Sequence, residues 1–315
     1  MRHAWLAAAI LAIAFPVLAA DATAPAKSAG APVPLLWKVS DKDNSVYLLG
    51  SFHMLTKDDY PLSKDVDAAY DDAEEVVFEL PPEEMLSQDL GLAMTKAAVR
   101  TDGTTLNDDL APAQRARLAQ WLRDNDATLK QMGLQPEMFQ MVDAWYASLL
   151  VTIAEAHAAG FDSELGLDAH LGKQAKADGK RTNGLEGGMK QLAMFESMDK
   201  QVQLQLMAES LDETEGGQAA LRRMHAQWRS GDVDQLWQKL GVEFRDDYPA
   251  LYKTINSDRN AAWVPLLRKR LDAPGTDDTL VVVGALHLLG KDGVVERLKA
   301  QGYTVERVCS ACAKR

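Results

Sequence analysis

Only two of the 315 residues are cysteine, which excludes a small scaffold stapled by disulfides. No apolar run long enough to span a bilayer follows residue 20, so a polytopic membrane protein is excluded too. Basic residues are outnumbered 34 to 46, for a formal charge of −12. That balance argues against nucleic acid as a partner, because phosphate contact wants a positive face. Also missing are His-Glu-x-x-His, Gly-x-Ser-x-Gly, a phosphate-binding loop and a dinucleotide fingerprint in its proper setting. Serine hydrolases and nucleotide enzymes of the usual kinds are thereby disfavoured. What is present, 47% hydrophobic and 25% charged residues, is ordinary globular composition on a chain long enough for a large core.

The two chain ends speak to the compartment. Residues 1–20 place Arg2 before an apolar stretch at 4–18, then Val17-Leu18-Ala19-Ala20, the pattern of a cleaved secretory signal peptide. Its loss would remove Arg2 and shift the charge from −12 to −13. Residues 21–34, rich in Ala and Pro, read as a linker. In a Gram-negative source the mature protein would be periplasmic and free of the membrane. Cys309 and Cys312 lie in the tail, residues 309–315, where an oxidising compartment favours a disulfide. A redox-active pair is the sharper alternative, but only Ala313, Lys314 and Arg315 follow, too few for the helix that lowers a thiol pKa.

Between these ends the periodicity changes twice. Leu35–Val39 and Ser45–Leu49 flank a turn-rich Asp-Lys-Asp-Asn and predict a hairpin. Leu62 to Asp72 has helical spacing with Ser63 as a cap, and Glu75 to Leu80 is a third strand. Helical patterns then occupy Ala113–Leu122, Pro136–Ala159, Ser163–Ala177, Met189–Leu211, Gln218–Leu240 and Asp258–Leu271, interrupted by a short strand in Lys180–Leu185. Within them, Ala144–Ala154 reads as a buried helix and not as a membrane span, since Asp143 and Glu155 bound it. Thr279–Val283 is a continuous apolar run, as expected of a strand buried on both faces. A helix over Gly293–Ala300 and a strand over Tyr303–Val308 close the pattern.

Val46 to Leu55 aligns without gaps on Leu280 to Leu289, each a strand followed by Gly-x-x-His-x-Leu. This weak internal repeat predicts one α/β domain, its sheet built from both chain ends around a helical insertion. Ligands bind at the carboxyl ends of strands in such sheets. If the two strands are neighbours, His53 and His287 converge across 234 residues of chain (287 − 53). Imidazole there suits Zn, Mn, Co or Fe, or serves as a general base. One such histidine alone would more simply be a cap or a core residue.

Other candidates carry two readings each. Glu79 ends an apolar strand, so it is either solvated at the sheet edge or buried against a histidine or metal. Glu186 follows a short strand, a site position or an ordinary acid at a helix start. Arg259 and Asn260 follow Asp258, where the arginine could steady an oxyanion or simply lie on the surface. Asp168 and His170 are two apart on a helical pattern and cannot serve one ion together. His157 and His225 have no acidic partner at ligand spacing and read as structural.

Taken together, these motifs resemble the TraB/PrgY/GumN family. The resemblance is carried by Leu36–Val39, Tyr47–His53, Phe78-Glu79-Leu80, Gly166-Leu167-Asp168, Leu185-Glu186 with Gln191-Leu192, Arg259-Asn260 with Trp263, and Val283–Gly290 with Gly302–Val305. It covers about residues 35–308. It departs at Gly187-Gly188, where relatives more often carry Thr and a polar residue. The family includes the Tiki metal-dependent proteases and is similar to erythromycin esterase and ChaN-like proteins. The resemblance implies a mixed central sheet and a divalent metal cation (Mn, Co or Zn) on His53, Glu79 and His287. Glu186, Arg259 and Asn260 would then serve catalysis. The expectation is a periplasmic metal-dependent hydrolase, a peptidase for instance, acting on peptide or another small substrate. The alternative is a non-catalytic protein using the same pocket for haem, a peptide or a glycan precursor. Neither the substrate nor the oligomeric state is written in these residues.

Overall fold

The computed structural model describes residues 30–85, 87–212 and 217–312. The expected signal peptide, the first nine residues of the linker and the last three of the tail lie outside these. Residues 30–34 have no regular structure, yet Pro32 and Pro34 are buried and Val33 N–H donates to the Arg229 carbonyl.

Six strands form one mixed sheet: β1 (Leu36–Ser40), β2 (Ser45–Ser51), β3 (Glu75–Phe78), β4 (Arg181–Gly184), β5 (Thr279–Gly284) and β6 (Thr304–Arg307). Their order is β4-β3-β5-β2-β1-β6. The strands β4, β3, β5 and β2 run parallel, and β1 is antiparallel to both β2 and β6. Every residue of β2 and β5 is buried, which is why both read as unbroken apolar runs. The edges β4 and β6 alternate exposed and half-buried residues, with Arg181 at one edge and Glu306 at the other. Charge on an edge strand discourages pairing with a second sheet.

The hairpin turn does two jobs. Asp43 N–H donates to Asp41 Oδ1, closing the turn locally. Asn44 Nδ2 donates to the carbonyls of Arg270, Leu271 and Ala273, satisfying the end of the helix Asp258–Leu271. Ser63 caps the helix Lys64–Asp72 as its position predicts, accepting from Val66 N–H. Cys309 and Cys312 form a disulfide.

The insertion is helical, but its long patterns break where the backbone finds other partners. Pro136–Ala159 divides into a 3-10 turn, Pro136–Met141, and a helix, Ala144–Ala158. Between them Val142 bridges to Val99 and Asp143 N–H donates to the Ala98 carbonyl. Ser163–Ala177 resolves into a 3-10 turn, Ser163–Leu165, and a helix, Leu167–Asp178. Met189–Leu211 becomes Gly188–Glu196 and Lys200–Asp212. Gln218–Leu240 breaks at Gly231, followed by a π-helical turn over Trp237–Gly241. The helix Ala144–Ala158 is buried on nearly every side, with Trp145 stacked on Phe195 at 5.3 Å. No helix among the described residues is long and apolar enough to cross a membrane.

Candidate functional site

The parallel strands finish at one edge. Ser51 pairs with Gly284, Phe78 with Val282, and Phe78 again with Gly184. The next few residues of each strand therefore gather His53, Glu79, Glu186 and His287. The two Gly-x-x-His motifs are neighbours but offset: Gly50 pairs with Val283, one residue short of Gly284. His287 lies in a 3-10 turn, Ala285–Leu288, whereas His53 precedes any helix.

Each imidazole is held at Nδ1. His53 Nδ1 lies 2.8 Å from Asp168 Oδ2, which also accepts from the Ser51 hydroxyl. A carboxylate only accepts, so Nδ1 carries the proton and Nε2 is left facing inward. The Gly-Leu-Asp sequence explains how Asp168 arrives there. A Cβ on Gly166 would stand 2.0 Å from the His53 carbonyl oxygen, so only glycine permits this approach. Leu167 N–H then donates to the Phe52 carbonyl and Asp168 follows in the first turn.

His287 Nδ1 lies 2.7 Å from Asn260 Oδ1. Asn260 Nδ2 donates to the Asp292 carbonyl and to Asn256 Oδ1, which fixes Asn260 Oδ1 as the acceptor. Both imidazoles thus turn Nε2 toward Glu79, each 3.8 Å from Oε1. A Cβ on Gly284 would stand 2.9 Å from His53 Nε2 and 3.2 Å from Glu79 Oε1, so the missing side chain leaves room between them.

Glu79 is 2% exposed and is not a solvated strand end. Its Oε1 accepts from Gly284 N–H at 2.7 Å and its Oε2 from Arg259 Nη2 at 2.5 Å. Arg259, for which a surface position was the simpler expectation, is 7% exposed. The helix Asp258–Leu271 continues from a preceding π turn, Lys253–Ser257, so Arg259 does not stand at a free helix start. Its five N–H groups are all engaged. Nε meets Glu186 Oε1 at 2.8 Å, and Nη2 meets Glu79 and Glu186. Nη1 meets the Ile255 carbonyl and His287 Nε2 at 3.2 Å. Glu186 lies ahead of its helix and takes a further bond from Gln191. Glu186 and Arg259 therefore hold each other, and Asn260 holds the His287 imidazole.

The buried charges separate the two histidines. Burial alone would lower His53, but Asp168 outweighs it and raises the group above its ordinary value. Burial lowers His287 to about 3, helped by Arg259 and opposed by Glu79. Burial would raise Glu79, yet Arg259 and the two imidazoles hold it well below the usual carboxylate range. Burial works against the Arg259 charge, but Glu79 and Glu186 raise its pKa.

A cavity of about 40 Å³ opens over this centre. Its floor is Ser51, His53, Gly284 and His287, while Glu79, Arg259 and Glu186 stand behind that floor. Among the described residues, no three histidine, cysteine or acidic side chains are gathered closely enough to hold an ion as they stand.

Sequence reasoning missed Asp168, Ser51 and Asn256. Asp168 was weighed only as one of a pair with His170, whose ring packs at a tilt against Tyr60 with centroids 4.2 Å apart. The usable signal was the Gly-Leu-Asp order itself. His225 does have an acidic partner, Asp59 at 2.8 Å, which spacing hid because it lies 166 residues away.

The profile of the TraB/PrgY/gumN family matches residues 35–307. Two curated relatives, each named "Uncharacterized protein YbaP", come from Escherichia coli (strain K12) and Shigella flexneri. Each is 27% identical over 170 residues, 54% of this chain and 61% of the relative. The chain thus spans less than two thirds of the length of these relatives. No solved structure matches.

Proposed function

The chain belongs to the TraB/PrgY/gumN family, and from that premise we propose an exported hydrolase of acyl bonds, peptide bonds included. The observation that carries the reading is the convergence of two strand-end imidazoles on one buried carboxylate, beneath a cavity. The Cys309–Cys312 disulfide supports export, because such bonds persist in oxidising compartments. In the reaction, water adds across the acyl bond: the hydroxyl joins the acyl carbon and the proton leaves with the amine or alcohol.

The donor types fit a divalent ion of the Mn, Co or Zn class. His53, Glu79 and His287 would hold it, with both Nδ1 atoms already fixed by oxygen partners. The bare Gly284 backbone leaves the space between the donors open. When bound, such an ion supplies an acidified water. The remaining work falls to this chain: Asp168 and Asn260 orient the imidazoles, Arg259 keeps Glu79 charged, and Glu186 keeps Arg259 in place.

A second reading uses the same residues without an ion. Its support is geometric: both Glu79 oxygens and His287 Nε2 already accept hydrogen bonds from Gly284 and Arg259. Here an inward imidazole nitrogen would take the proton from the attacking water.

Metal content of the mature protein, measured beside a His53→Ala, His287→Ala double variant, tests the first reading. About one equivalent of divalent ion per chain is expected in the wild type and none in the variant. Equal content in both ends the proposal of a metal centre. Hydrolysis of a peptide and ester library that survives chelation selects the ion-free reading. Bound ion with no hydrolysis of either library favours a binding protein.

A further inference from the structure

The walls of the cavity serve no part of the chemistry described so far. They are apolar: Met224, Trp228, Leu236, Leu240, Phe244 and Ile255. Beyond the two imidazoles of the floor, no ionisable side chain among the described residues lines the cavity. A charged ligand group placed against these walls would be desolvated without a partner. Trp228 is fixed there by its Nε1 bond to the Gly50 carbonyl at 2.9 Å.

Two of the wall segments are π-helical. Trp237–Gly241 supplies Leu240, and Lys253–Ser257 supplies Ile255 and Asn256. A π turn inserts a residue into a helix and re-aims its side chains, a feature concentrated at functional sites.

Asn256 is the polar exception in the wall. It is 2% exposed, and its amide nitrogen is closed off from the cavity against the Tyr252 side chain. Its orientation follows from the centre. His287 Nδ1–H donates to Asn260 Oδ1, and Asn260 Nδ2 donates to Asn256 Oδ1. The chain of amides therefore turns the Asn256 donor toward Tyr252 and ties this wall to the His287 imidazole.

We propose that this cavity binds an acyl compound whose apolar side chain lies against Trp228, Leu240 and Phe244 and whose carbonyl lies over the imidazole floor. The assignment deepens the hydrolytic reading and rests on it for the identity of the acyl group. The substrate class is then a peptide, amide or ester with a bulky apolar side chain beside the carbonyl.

Binding is tested without requiring turnover, by titrating the mature protein with four blocked amino acids followed by ligand-observed NMR. N-acetyl-leucine amide and N-acetyl-phenylalanine amide are expected to bind about tenfold tighter than N-acetyl-glycine amide. N-acetyl-aspartate amide, with its charged side chain, should bind no better than the glycine compound. Leu240→Trp fills the cavity without touching the amide chain and should abolish binding, with folding checked by thermal melting. Equal affinities for all four compounds, or no binding at about 10 mM, would overturn the proposal. Ammonia release is measured in the same samples. Selective binding without release overturns the hydrolytic reading and leaves the pocket standing; release without side-chain preference does the reverse.

Discussion

At the scale of single residues, buried charge is kept where it is paired. Asp59 shows this away from the site. It is fully buried, accepts from Thr56 N–H, meets His225 at 2.8 Å and is bridged by Arg229. Burial would raise its pKa, but these partners lower it to about 2 from the ordinary 3.8. A carboxylate depressed in the folded state stabilises fully above its unfolded value and loses that contribution as it is protonated. Stability should therefore fall as the pH drops from about 4 toward 2, and Asp59→Asn should flatten that limb of a urea-denaturation series. An unchanged pH profile in the variant would show that Asp59 is not responsible. Spacing along the chain reveals none of this, because Asp59 and its partners on Gly217–Ser230 meet only in the fold.

At the scale of elements, turns and helix starts set the positions of the functional side chains. The start of Leu167–Asp178 lies against the backbone of His53, and Gly166 makes the approach possible. Gly166→Ala would place a methyl 2.0 Å from the His53 carbonyl, with backbone on the far side of the contact. Overpacking of this kind costs about 1–3 kcal/mol, and it should also draw Asp168 away from His53. The expected outcome is a lowered melting temperature together with a shifted His53 imidazole resonance in NMR titration. A variant with wild-type stability and an unmoved resonance would contradict the packing argument. Several elements were legible beforehand: the hairpin, the Ser63 cap, the strand at Thr279–Val283 and the helix Asp258–Leu271. Those strands carry a two-residue or continuous apolar pattern that backbone geometry enforces. The breaks at Val142, Ser197 and Gly231 were not legible. At Val142 the backbone bonds to a distant partner, with Asp143 reaching Ala98, and at Gly231 the chain turns through a positive φ.

At the scale of the whole molecule, Arg259 ties together segments from across the sequence. Glu79 comes from the first part of the chain, Glu186 from the middle, and His287 from the end. Removing one partner of a buried ion pair leaves the other charges desolvated and unpaired. Arg259→Met should therefore destabilise the protein by about 3–5 kcal/mol, measured by chemical denaturation. Adding Glu79→Gln and Glu186→Gln should recover part of that loss, because the stranded charges are then gone. A single variant as stable as the wild type would show that Arg259 does not hold the centre.

The amino-acid sequence determined the fold class, the strand-end Gly-x-x-His repeat and the candidates His53, Glu79 and His287. Those features are local: apolar period, turn residues and motif order are all written in neighbouring positions. Tertiary structure decided the rest. It set the one-residue offset between the motifs, brought Asp168 to His53, and turned Arg259 from a candidate surface residue into a buried clamp. It also placed Asn256 in an apolar wall. Each of those outcomes depends on which strands lie side by side and which helix crosses their ends, and such contacts join residues far apart in the chain, as Asp168 with His53 and Arg259 with Glu79.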